Sequence, residues 1–191
     1  MKPTNTMLLL IVGVGIAAFC YVLFFGYGQD ALPSSNKAYV RLRSKVLHVT
    51  PEALDLPTQD PQHQVYGIMA DIMLEKGALT YVAFATGDAS IYTQNGGMIL
   101  GGYKLDSVQA NAIQLVNWSN ELLPSATTSI DTNLPALGHY HLYLLTKNRN
   151  YQLSGHLKKD RTSPQGRFLK LIMKAITRFE EEAAQAKALQ Q

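Results

Sequence analysis

Cysteine is almost missing from this chain: there is one, Cys20, and it sits inside an apolar run. The remaining sequence therefore has no disulfide framework, no thiolate nucleophile and no cysteine ligand for a metal. Charge is also sparse, at 16% of residues, and very unevenly placed. Several motifs stop short of what their chemistry needs. The stretch 96–102 (GGMILGG) puts Gly96 and Gly101 at the spacing of a phosphate loop, but Gly102 and Tyr103 follow where Lys and Ser/Thr must meet phosphate and metal. Asp106, at the mouth of the helix expected beyond it, repels an anion as well. A sharp turn with close backbone approach is the simpler reading of these glycines. No G-x-S-x-G elbow surrounds Ser90. Nothing repeats internally.

What is present begins with an uncharged run of 21 residues, 7–27, opening on Met7 and closing on Tyr27. A helix rising 1.5 Å per residue needs about 20 such residues to cross about 30 Å of hydrocarbon. The run is longer than the roughly 7–15-residue core of a cleaved signal peptide, for which Gly26-Tyr27-Gly28 is a poor cleavage site. A lipoprotein signal does not fit either, since bulky Phe19 precedes Cys20. An uncleaved single-pass anchor is expected, with Tyr21 and Tyr27 at one interface. Gly13 and Ala17 form a small-xxx-small pair of a kind common in such helices.

The modest net charge of +3 hides strong segregation. Residues 1–45 carry five bases against Asp30, whereas 46–146 carry only Lys76 and Lys104 against nine acids. Residues 147–178 carry nine bases against Asp160, and the tail adds Glu180, Glu181 and Glu182 against Lys187. Lys37, Arg41, Arg43 and Lys45 follow the anchor, whereas only Lys2 and the terminal amine precede it. Positive residues near a span tend to stay inside, so the domain after the anchor is expected on the cytoplasmic side.

Four sections follow from composition and periodicity: a tail and anchor over 1–28, a linker with a short basic segment over 29–64, an α+β domain over 65–184, and a flexible tail over 185–191. Thr50 is placed to cap a short helix with Pro51 at its first position, and 55–64 reads as loop. Alternation predicts strands over 65–75, 79–86 and 89–95, with Gly87-Asp88 as a hairpin turn. Asp106 is expected to cap a helix carrying the stripe Val108, Ala112, Leu115 and Leu122, ended by Pro124. Residues 125–137 read as a polar linker, 138–146 as a strand, and 151–153 as a short further strand. Ser163-Pro164 opens the last helix, to about Ala184, with Phe168, Leu169, Ile172, Met173, Ile176 and Phe179 on one stripe. The expected fold is α+β: a mostly antiparallel sheet of four or five strands with two main helices on one side.

The segments VYGIMAD, VAFATGDASIYTQNGG and GHYHLYLLT, with the closing amphipathic helix, resemble a group of uncharacterised bacterial proteins. That resemblance implies no activity. The order of three strands, helix, strands and helix is also similar to the roadblock/longin and profilin-like group. This similarity implies a platform for binding or dimerisation without chemistry; fold alone does not assign function.

Candidate chemistry is thin. His139 and His141 share a strand face, but a zinc site needs three or four ligands and no acid or further histidine has matching spacing. Asp71, Glu75, Asp88 and Ser90 lie nearest the hairpin, with no acid–base pair implied by spacing; Asp88 suits a turn. Asn117-Trp118-Ser119 is a glycosylation sequon within the helix. No cofactor, metal or small-molecule ligand is indicated, and no nucleic acid is expected, because no aromatic pattern interleaves the bases. Arg167, Lys170, Lys174 and Arg178 fall three or four apart and form a basic ridge on the last helix. The expected function is a membrane-tethered, non-catalytic interaction module. Its ridge contacts a protein partner or the anionic membrane surface, and self-association is an open possibility. The alternative is an enzyme with a site built around Asp71, Asp88, Ser90, His139 and His141.

Overall fold

A computed structural model of the chain describes residues 35–56, 65–128 and 130–189. The apolar run 7–27 lies outside them, and among the described residues no helix is long and apolar enough to cross a membrane. The segment VYGIMADIML forms β1 (Val65–Leu74), followed by β2 (Gly77–Phe84), β3 (Ala89–Thr93) and β4 (Met98–Ile99). After an excursion through helix, β5 (His139–Thr146) and β6 (Asn150–His156) complete a single antiparallel sheet in the order β4-β3-β2-β1-β5-β6. Among the described residues three α-helices accompany it: α1 (Ser35–Leu47), α2 (Asp106–Ser119) and α3 (Pro164–Ala188).

The α+β class and antiparallel sheet agree with expectation; strand and helix counts do not. There are six strands rather than four or five, because Met98 and Ile99 pair with Tyr92 and Ile91 inside the glycine stretch. Gly96 and Gly101 take φ of 95° and 77°, which lets that short strand fold back. At Gly102 a Cβ would lie 3.0 Å from both Cβ and O of Ala89, so side chains are excluded there by close backbone approach. β6 is also longer than the three residues expected, pairing from Asn150 to His156.

The third helix, α1, falls where a linker was expected. Its residues Tyr39, Leu42, Val46 and Leu47 are buried against Met69, Val82, Phe84, Tyr143 and Leu145 of the sheet. α2 and α3 cover the opposite face, where Val108, Leu115, Phe168, Ile172 and Phe179 meet Ile68, Ile72, Tyr140, Leu142 and Leu144. Helices therefore lie on both faces of the sheet, not one. Double coverage explains why the first eight residues of β1 are all buried although it is antiparallel to its neighbours.

Helix boundaries shift where local chemistry is subtle. Leu105, not Asp106, occupies the cap position of α2, and Asp106 is the first helical residue, where a carboxylate still favours the dipole. α2 ends at Ser119, before a 3₁₀ turn, Asn120–Ser125, that contains Pro124 and Leu122. Ser163 caps α3 as expected, its Oγ accepting from Gly166 N at 3.1 Å. α3 then runs to Ala188, beyond the expected end, so 185–188 is helical rather than tail. Thr50 accepts from Ala53 N at 3.3 Å over a 3₁₀ turn, Glu52–Leu54, rather than an α-helix. The segment after α2 is not a bare linker: Thr127 bridges to Gln152, and Asp131 N donates to Gln152 Oε1 at 2.6 Å.

Candidate functional site

Cross-strand register gathers polar residues in the middle of the α1-facing side of the sheet. Thr80, Asp71, His141 and Ser154 are successive partners across β2, β1, β5 and β6. Asp71 is fully buried in an otherwise apolar strand, and such a carboxylate demands a partner. Arg43 supplies it from α1: Nε donates to both carboxylate oxygens at 3.0 Å, and Nη2 donates to Oδ2 at 2.5 Å. Thr80 Oγ1 donates to Asp71 Oδ1 at 2.6 Å, and the Tyr39 and Thr80 hydroxyls bond at 2.7 Å. The other side of the guanidinium donates from Nη1 and Nη2 to Thr132 O at 3.2 and 3.3 Å. The guanidinium also lies 5.9 Å from the Tyr39 ring centroid.

Electrostatics match this enclosure. Burial, and then the charge of Asp71, push the Tyr39 hydroxyl up to about 12, so it stays a neutral donor. Burial works against the charged form of Arg43, but the bonds and charge of Asp71 overcome it and hold the guanidinium above its usual value. Burial lowers His141, against the opposing pull of Asp131 and Asp71, leaving a mostly neutral imidazole at pH 7. Its Nδ1 lies 3.3 Å from the Tyr143 hydroxyl, which donates to Asp131 O at 2.8 Å. The network fastens α1 and the 130–134 loop onto the sheet. It is closed by α1 and gives a substrate no access to Asp71.

The other residues considered for chemistry lie elsewhere. Asp88 sits in the β2–β3 turn, where its carbonyl accepts from Phe84 N at 3.0 Å and Gly87 takes φ 86°. Phe84 pairs with Gly67 and Thr80 with Asp71, so that turn is four residues, about 13 Å, along the strands from Asp71. Ser90 pairs with Val82 on β3. His139 faces His156 edge-on at 4.6 Å between ring centroids. Among the described residues no three histidine, cysteine or acidic side chains are grouped to hold a metal ion. Asp71 thus lies beside His141 across β1 and β5, whereas Asp88 and Ser90 lie elsewhere along the sheet.

The basic ridge of α3 is on the outside, as its spacing suggests, but its four members are not equivalent. Arg178 Nε is paired with Glu182 Oε1 at 2.9 Å. Glu182 also accepts from the Ser107 hydroxyl, which joins α3 to the start of α2. Ser107 first, and Arg178 with it, hold the Glu182 carboxyl below its usual range. Arg167 Nη1 donates to Thr162 O at 3.0 Å and so closes the first turn of α3. Lys170 and Lys174 are exposed and enter no ion pair among the described residues.

Lys174 also lines a groove between the two helices. Asn111, Gln114, Leu115 and Trp118 of α2 form one wall, with Leu171, Lys174, Ala175 and Arg178 of α3 as the other; its volume is about 260 Å³. Trp118, the lone tryptophan, is 42% exposed there. The groove thus sets an exposed indole near Lys174, which enters no ion pair among the described residues. Sequence reasoning registered Trp118 only within a sequon; its nearness to Lys174 depends on how α2 and α3 pack. Comparison with family models, with curated proteins and with solved structures finds no match.

Proposed function

We propose that the chain is a membrane-tethered, non-catalytic interaction module whose α2/α3 face receives an acidic protein partner. The observation that carries this reading is the half-exposed Trp118 in one groove with Lys174, which enters no ion pair among the described residues; the inner faces of the two helices that build the groove are committed to the core. Tryptophan is enriched among the few residues that carry most of the affinity of a protein–protein interface. The tether is the run 7–27, and the bases after it favour a cytoplasmic domain. Placement on a platform-like domain order, similar to the roadblock/longin and profilin-like group, supports the non-catalytic part, as does the locked state of Asp71. Among the described residues the ridge keeps Lys170 and Lys174 outside any ion pair, while Arg167 and Arg178 hold α3 and its neighbours in place.

In-cell photo-crosslinking tests this directly. A photoreactive residue at exposed Gln114 is expected to give a discrete adduct with an acidic protein. Lys170→Glu with Lys174→Glu is expected to lose that adduct while the melting temperature stays within a few degrees, because surface changes typically cost less than about 0.5 kcal/mol. Trp118→Ala is expected to weaken it by at least about 2 kcal/mol, roughly thirtyfold. Equal adduct from the charge-reversed and original chains contradicts the assignment of this face.

A further inference from the structure

α1 presents two different sides. Its inner side is fixed by Tyr39, Leu42, Val46 and the Arg43–Asp71 pair, so the helix cannot roll without breaking a buried ion pair. The outer side therefore has a definite composition: Lys37, Arg41, Lys45 and His48, with Ser44 and the half-exposed Val40 between them, along a shallow groove. The helix sequence, SNKAYVRLRSKVL, contains no acid, and Lys37 and Arg41 enter no ion pair among the described residues. His48 Nδ1 lies 2.7 Å from Ser44 O, which binds the imidazole to the last turn of the helix.

Chain connectivity adds the second observation. The apolar run closes on Tyr27 and α1 opens on Ser35, eight residue steps later. Eight steps span at most about 28 Å even when fully extended. A basic helix face held that close to a bilayer meets the negative surface potential of anionic lipids, where each Lys or Arg strengthens attachment by roughly fivefold. α2 and α3 cover the opposite face of the sheet, so one flat bilayer cannot meet both outer surfaces.

We infer that the outer face of α1 binds the anionic headgroups of the leaflet next to the anchor, and that this contact turns the α2/α3 groove away from the membrane. This rests on the reading of 7–27 as a membrane anchor. The lipid chemistry required is a layer of phosphate or carboxylate headgroups of net negative charge. Lys37 and Arg41 supply the main contacts, and Val40 lies at headgroup depth between them.

The test uses the full chain in nanodiscs of neutral phosphatidylcholine, or of phosphatidylcholine with anionic phosphatidylglycerol. An environment-sensitive fluorophore is placed by Ser44→Cys in a Cys20→Ala background, with a quencher on the lipid headgroups. Anionic discs are expected to quench the probe at low salt, and added salt is expected to reverse this, since screening shortens to about 3 Å at 1 M. Lys37→Glu with Arg41→Glu is expected to lower the lipid-contacting population at least roughly 25-fold. The chain should still elute with the discs and keep its melting temperature. The glutamine pair at the same positions should lie in between. Quenching that is equal in neutral and anionic discs, or that tracks protein density per disc and not lipid charge, overturns the inference; the second result assigns the face to another copy of the chain. A chain that does not elute with the discs instead overturns the anchor reading itself, so the two failures are distinguishable.

Discussion

Asp71→Ala is expected to lower the unfolding free energy by about 3–5 kcal/mol, because it leaves the Arg43 guanidinium buried without its counter-charge. Three bonds from Arg43 end on that carboxylate, and Thr80 donates a fourth. Arg43 is 6% exposed, so water cannot replace what is removed. The carbonyl of Thr132 is the remaining acceptor, and its dipole is a weak substitute for a full charge. The double change Arg43→Met with Asp71→Leu removes both charges together and should recover most of the loss, as apolar replacements of whole buried pairs do. Tyr39 and Thr80 then keep their mutual hydroxyl bond. Denaturant unfolding of the three chains measures this. A loss below about 1 kcal/mol for Asp71→Ala would mean that the pair does not hold α1 to the sheet.

Phe179→Ala should be of similar size for a different reason. Phe179 is 1% exposed, on the α3 stripe against the sheet. Truncating such a phenylalanine costs about 3–5 kcal/mol through lost transfer energy and the cavity left behind. That is a large part of the roughly 5–15 kcal/mol that holds a domain folded. A fall in melting temperature of roughly 10 °C is expected at about 2–4 °C per kcal/mol for a chain of this size. Phe168→Ala, 5% exposed, should behave alike. A melting temperature unchanged by Phe179→Ala would remove α3 from the core.

The elements legible in the sequence are those where one periodic signal dominates. α3 announced itself through its stripe and the Ser163-Pro164 start, and the β2–β3 hairpin through Gly87-Asp88. α1 was hidden because its buried stripe is only Tyr39, Leu42, Val46 and Leu47, and Arg43 interrupts it. The two charges obscure each other: Arg43 makes α1 look like a solvated basic segment, and Asp71 makes β1 look less buried than it is. A buried acid in an apolar strand was the available clue that an opposite charge must come from elsewhere. β4 was not legible because a two-residue strand has no period and exists only through its pairing with β3. At the proposed docking face, Lys170 and Lys174 were readable from spacing. Trp118 was not, since its place near Lys174 depends on how α2 and α3 pack; Arg178 and Glu182 stand four apart on α3, but the Ser107 hydroxyl that also reaches Glu182 comes from the other helix.

Both proposed surfaces presuppose that the run 7–27 holds the domain at the cytoplasmic face, so membrane topology is the most direct test. Reporters fused after Gln191 decide it: a fluorescent protein that matures only in the cytoplasm and a phosphatase that folds only outside it. The expected result is bright fluorescence and inactive phosphatase in the membrane fraction, retained through alkaline carbonate extraction. Active phosphatase with dark fluorescent fusions would place the domain on the other side and contradict the account.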